Sequence, residues 1–109
     1  MAELHDVTDE CFDAEVIQSD IPVLVDFWGE HCPPCRAIAP ILRDLAAAYA
    51  GRVKIVKLDS DENGNTMTRF QVLSLPTVLA FSGGQVVGQL SGARPKKDFQ
   101  ALIDRALES

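Results

Sequence analysis

Long apolar runs are missing from this sequence. The best short one, Ile21 to Val25, is stopped by Asp26 and falls far short of the roughly 18 consecutive apolar residues of a membrane span, so no membrane association is expected. Cysteine is scarce as well. Cys11, Cys32 and Cys35 make 3, an odd number and too few for the disulfide lattice of a small secreted scaffold, which favours a reducing compartment. The start, Met1 to Val7, has neither the basic stretch nor the apolar stretch of a secretory signal, and a cytoplasmic location is expected. Positive charge is in deficit: 10 Lys and Arg stand against 16 Asp and Glu, a net charge of −6, which argues against nucleic acid or an anionic membrane as a partner. What is present suits a soluble globular core, with 47% hydrophobic and 24% charged residues. At 109 residues, below the roughly 150 that serves as a soft prior for one domain, residues 1–109 are expected to form a single domain.

Hydrophobic periodicity sets out the elements. Ile21 to Trp28 is a near-continuous apolar, β-branched and aromatic run, the pattern of a strand buried on both faces of a parallel sheet, with Asp26 as its one anomaly. Ile38, Ile41, Leu42, Leu45, Ala46 and Tyr49 then recur at helical spacing up to Gly51, predicting a long amphipathic helix bent at Pro40. Val53 to Leu58 reads as a second buried strand, so that strand, helix and strand form a right-handed parallel crossover. A short helical piece ends near Phe70. Thr77 to Phe81 and Gln85 to Leu90, joined through Ser82, Gly83 and Gly84, predict an antiparallel hairpin. From Pro95 onward, Phe99, Leu102, Ile103, Ala106 and Leu107 mark a last helix with Pro95 in its first turn. At the other end Thr8 or Asp9 is placed to cap a helix running to about Ser19, with Phe12 and Val16 inward. The class is a small α/β domain with a mixed sheet and helices on both faces.

Chemistry concentrates between the first buried strand and the long helix, where the chain reads Trp28-Gly29-Glu30-His31-Cys32-Pro33-Pro34-Cys35-Arg36. Two cysteines three apart at a helix start can close a disulfide and reopen it. A thiol there meets the positive end of the helix dipole and free backbone amides, so its thiolate is favoured and attacks disulfides at neutral pH. Cys32, outermost and at the N-cap position, is the candidate nucleophile. Cys35, one turn in, would resolve the mixed disulfide.

Over nearly its full length the sequence resembles the thioredoxin family. The resemblance is carried by Val25-Asp26-Phe27-Trp28, Cys32 to Cys35, Lys57-Leu58-Asp59, Val72-Leu73-Ser74-Leu75-Pro76-Thr77, and Gly84 and Gly92, in matching order and spacing. It implies a thioredoxin fold: one domain with a mixed sheet of about five strands, three of them parallel and a C-terminal antiparallel hairpin, flanked by about four helices. It also implies a thiol-disulfide oxidoreductase that reduces protein disulfides and works as a monomer. No cofactor would be bound, and a thioredoxin reductase using NADPH through flavin would restore the Cys32–Cys35 pair. The Leu75–Pro76 bond would be cis and lie against the cysteines, with the backbone beside Pro76 open to an extended substrate segment. Trp28, Leu75 and Gly92 are expected around substrate.

Several residues carry two readings. Asp26 is either a paired structural carboxylate or, since burial raises a carboxyl pKa, a group that exchanges a proton with Cys35; the resemblance implies the second and names Lys57 as its charge partner. A lysine at a strand end is otherwise a solvated residue. The commonest family motif is Trp-Cys-Gly-Pro-Cys-Lys, so His31, Pro33 and Arg36 are departures. Pro33 falls at the first helical position, where its missing amide costs nothing, and the Cys35 amide remains able to meet the Cys32 sulfur. Because Pro33 also precedes Pro34, a changed reduction potential with retained activity is expected. His31 is either a surface residue in the place of a docking tryptophan or an imidazole that lowers the Cys32 pKa. Cys11 is expected to be a partly exposed free thiol. Two other classes compete: a partner-binding or chaperone-like module, and a metal site built on Cys32 and Cys35. The metal site lacks a second half, with only Cys11, His5 and His31 as further soft ligands.

Overall fold

A computed structural model describes residues 4–109. Five strands form one mixed sheet: β1 (His5–Asp6), β2 (Val23–Trp28), β3 (Lys54–Asp59), β4 (Thr77–Ser82) and β5 (Gln85–Ser91), in the spatial order β1-β3-β2-β4-β5. The first three are parallel and the β4–β5 hairpin is antiparallel, as the family resemblance implies. Around the sheet lie α1 (Asp13–Ile17), α2 (Pro33–Ala48), α3 (Gly64–Arg69) and α4 (Lys96–Glu108).

The pleat of β2 explains where the site sits. Alternate residues of a strand point to opposite faces, and Val23, Val25 and Phe27 join Phe12, Val16, Leu79 and Phe81 in the core beneath α1 and α3. Leu24 joins Ile38, Leu42, Phe99 and Ile103 in the core beneath α2 and α4. Asp26 therefore stands on the α2 face, with Lys57 of β3 on one side and Val78 of β4 on the other. The opposite core is closed by Phe12, Phe70 and Phe81, whose ring centroids lie 5.1–5.7 Å apart in edge and tilted contacts. At the hairpin, Gly83 (φ 59°) and Gly84 (φ 80°) adopt backbone angles that side chains disfavour, and a Cβ on Gly84 would meet the Ile17 carbonyl at 3.0 Å.

Three expectations need correction. The N-terminal helix does not run from a Thr8 or Asp9 cap to Ser19. The Cys11 amide does donate to Thr8 Oγ1 (3.4 Å), but the helical segment is only Asp13–Ile17, a widened turn in which the Gln18 amide reaches the Asp13 carbonyl at 2.9 Å. Asp9 caps α3 instead: its carboxylate accepts from the amides of Asn65 (3.3 Å) and Thr66 (2.9 Å) and from the Thr66 hydroxyl (2.5 Å). Although burial opposes it, these bonds hold the Asp9 carboxyl below its usual range. The third parallel strand, which periodicity did not locate, is β1, a two-residue segment too short to show a period. Finally, Pro95 stands just ahead of α4 as its N-cap rather than inside its first turn.

Candidate active site

The chain leaves β2 at Trp28, turns through Gly29, Glu30 and His31, and enters α2 with Cys32 as the N-cap in an extended conformation (φ −127°, ψ 92°). Pro33 and Pro34 take the next two positions, where no intrahelical amide bond is required. The Cys35 amide, the first available donor, points at the Cys32 sulfur at 3.3 Å, in agreement with the expectation drawn from the motif. The two sulfurs are joined in a disulfide, and Cys11 is free and half-buried. Cys32 is 9% exposed and Cys35 4%, so the N-cap cysteine is the more accessible of the pair.

The segment before β4 approaches from the other side. The Leu75–Pro76 peptide bond is cis. The Pro76 carbonyl accepts from the Gly92 amide at 2.9 Å, and the Ser74 carbonyl accepts from the Thr77 hydroxyl at 2.7 Å. Gly92 has φ 87°. A Cβ on Gly29 would lie 3.0 Å from Leu75 Cδ1, so the absence of a side chain at Gly29 is what lets Leu75 settle beside the turn that carries the cysteines. Pro33, Pro34 and His31 are exposed, and Leu73 is 94% exposed.

On its inner side the pair borders a cleft of about 470 Å³ lined by Asp26, Trp28, Cys35, Arg36 and Lys57 among others. Asp26 is 3% exposed. Burial pushes its carboxyl up to about 7, with the Lys57 charge pulling the other way. Its Oδ1 has no hydrogen-bond partner, and neither has Trp28 Nε1. Lys57 reaches the cleft: its ammonium lies 5.3 Å from the Trp28 ring centroid and 3.8 Å from an Asp6 carboxylate oxygen. The anomaly inside the apolar strand is thus a buried carboxyl that can hold or release a proton near neutral pH, in one cleft with Cys35. Among the described residues no three His, Cys, Asp or Glu side chains gather as a metal would require, and no helix is long and apolar enough to cross a membrane.

A family model for thioredoxin matches residues 3–105. The chain is 41% identical over 107 residues to thioredoxin 1 of Nostoc, covering 98% of this chain and 100% of the relative. It is 45% identical over 105 residues to the thioredoxin of Haemophilus influenzae, covering 96% and 98%, and 44% identical over 104 residues to thioredoxin C-2 of Corynebacterium nephridii, covering 95% and 96%. The chain belongs to the thioredoxin family. It is accordingly a thiol-disulfide oxidoreductase, in a family whose members carry no cofactor of their own.

Set against the thioredoxin-family expectations, the structure gathers Asp26, Trp28, Cys35 and Lys57 around the inner cleft, places Cys32 at the helix start, and sets Leu75 and Pro76 in the loop before β4, with Gly92, just after β5, bonded to Pro76. His31 lies outside the cleft on the exposed turn. Three features were not read from sequence. The bond from Arg36 Nη1 to the Glu30 carbonyl depends on a rotamer, the room that Gly29 leaves for Leu75 joins segments 46 residues apart, and the exposure of Leu73, between a buried Val72 and an exposed Ser74, has no periodic signal.

Proposed function

We propose that the reduced protein donates two electrons to a disulfide in another protein through Cys32, with Cys35 resolving. The Cys32 thiolate, favoured by the Cys35 amide and the start of α2, attacks one sulfur of the substrate disulfide. A mixed disulfide forms, and the other substrate sulfur leaves as a thiolate that takes a proton from solvent. Cys35 Sγ–H then gives its proton to the Asp26 carboxylate, directly or through water, and its thiolate attacks the Cys32 sulfur. The Cys32–Cys35 disulfide closes, the second substrate sulfur departs and is protonated, and the substrate is reduced while the protein is oxidised. A carboxyl raised to about 7 is half-ionised near neutral pH, which suits it to take this proton and later return it.

Lys57 supports the ionised form of Asp26 by its charge, and Trp28 lines the cleft that Cys35 shares, under the Lys57 ammonium. Leu75, Pro76 and Gly92 receive an extended substrate segment along the loop backbone, beside the exposed Pro33, Pro34 and Leu73. Pro33 and His31 set the reduction potential of the pair. A reductase using NADPH through flavin recharges the 109-residue unit, which works as a cytoplasmic monomer. The observation that carries this reading is the Cys35 amide aimed at the Cys32 sulfur beside a buried, unpartnered Asp26.

An insulin disulfide-reduction assay tests it, first with dithiothreitol and then with NADPH and a flavin-dependent thioredoxin reductase as the electron source. Activity with both is expected. Activity with dithiothreitol alone would remove that reductase from the account, and none with either would remove the reaction itself.

A further inference from the structure

The inner cleft has a floor and a rim of different character. Asp26 and Cys35 are buried, whereas Glu30 and Arg36, which line the same cleft, are exposed. The rim residues are joined: Arg36 Nη1 donates to the Glu30 backbone carbonyl at 2.8 Å. That bond starts in the first turn of α2 and ends on the turn after β2, so a long side chain is drawn across the gap between the two elements. The side chain is fixed at both ends, by its own Cα on the helix and by the carbonyl it reaches.

We propose that Arg36 is a positioning residue that covers the mouth of this cleft through its bond to Glu30 and keeps bulk water from the Asp26 carboxyl. The inference rests on the reading of Asp26 as the proton acceptor for Cys35. Charge is not the means. The charged and titratable groups facing Asp26 are Lys57 from β3, Cys35, Arg36 and Arg43 from α2, and Glu30 from the turn, while β4 presents the apolar Val78. Of these, Lys57 is the charge that lowers the Asp26 carboxyl, against burial, which raises it. Arg36 then acts on Asp26 by maintaining the burial. The bond uses one guanidinium donor, Nη1, on the Glu30 carbonyl, and the planar guanidinium behind it is broader than an ammonium.

Cover and charge have opposite signs. Removing a nearby cation raises a carboxyl pKa, whereas admitting water lowers the pKa of a carboxyl that burial had raised. The test is a carbon NMR titration of the Asp26 carboxyl in the oxidised protein, comparing wild type with Arg36→Ala and Arg36→Gln. Both variants change an exposed side chain to one that a helix tolerates. The expected result is a midpoint lower by about one pH unit in Arg36→Ala and a shift in the same direction in Arg36→Gln. An unchanged or raised midpoint in Arg36→Ala overturns the proposal. The proton-transfer reading is tested separately by turnover of Asp26→Asn: if turnover is unchanged that reading fails, while the titration still decides what Arg36 does.

Discussion

The two sulfurs of the Cys32–Cys35 disulfide, three residues apart, face different surroundings. Around Cys32 the chain neighbours Pro33, Pro34 and His31 are exposed, and the half-buried Leu75 comes up against the turn at Gly29. Around Cys35 lie a buried carboxyl, an indole and a lysine in a partly enclosed cleft. Helix geometry produces the difference. An N-cap residue is outside the helix with its side chain turned back to the free amides, whereas a residue one turn in points down onto the sheet. There the pleat of β2 brings up Asp26. One position serves the encounter with a partner and the other the handling of a proton, and the same short turn holds both.

Replacing each cysteine is the most severe way to break this contrast. Cys32→Ser is expected to lower disulfide reduction by about 10³-fold or more, whereas Cys35→Ser should still attack and stall as a mixed disulfide, visible as a mass increase on the intact protein. If the two serine variants behaved alike, the division of labour would be wrong.

Asp26→Asn acts on the inner side alone. Turnover at pH 7 is expected to fall by roughly 100-fold, the lower end for a lost proton acceptor. Stability should move the other way. The folded carboxyl is raised to about 7 from its ordinary 3.8. Between those values the folded protein holds a proton that the unfolded chain has released, so stability declines as pH rises through that window and the full cost is present above it. Urea unfolding at pH 8 should show the variant more stable by roughly 4 kcal/mol, with the gain vanishing near pH 4.

Smaller effects belong to the outer side. A Cβ at Gly29 would crowd Leu75 Cδ1 at 3.0 Å, so Gly29→Ala should displace that side chain by a few tenths of an ångström and raise KM for protein disulfides by about two- to five-fold, with the reduction of a small aromatic disulfide little changed. Leu73→Ser should raise KM for protein substrates by about two-fold through lost apolar contact. Since Leu73 is 94% exposed, unfolding should be unaffected.

Much of this arrangement was legible in the sequence because its signals are local. The cysteine spacing, the prolines that suit the first turn of a helix, and one carboxylate inside an apolar strand all lie within Val23–Arg36. Strand and helix periodicity located four strands and the two long helices. What escaped depends on contacts between distant segments. Asp9 looked like a local cap and instead serves α3, 57 residues on. β1 exists only by pairing with Val56 and Lys57, and Arg36 binds a carbonyl, which every residue possesses and no sequence pattern marks.

The asymmetry between the two sulfurs is tested most directly by brief alkylation of the fully reduced protein with limiting iodoacetamide at pH 7, followed by peptide mapping of all three cysteines. Modification confined mainly to Cys32, with Cys35 and Cys11 slower by about tenfold or more, is the expected result. Modification of Cys35 as fast as Cys32 would contradict the assignment of one outward nucleophile and one inward resolving thiol.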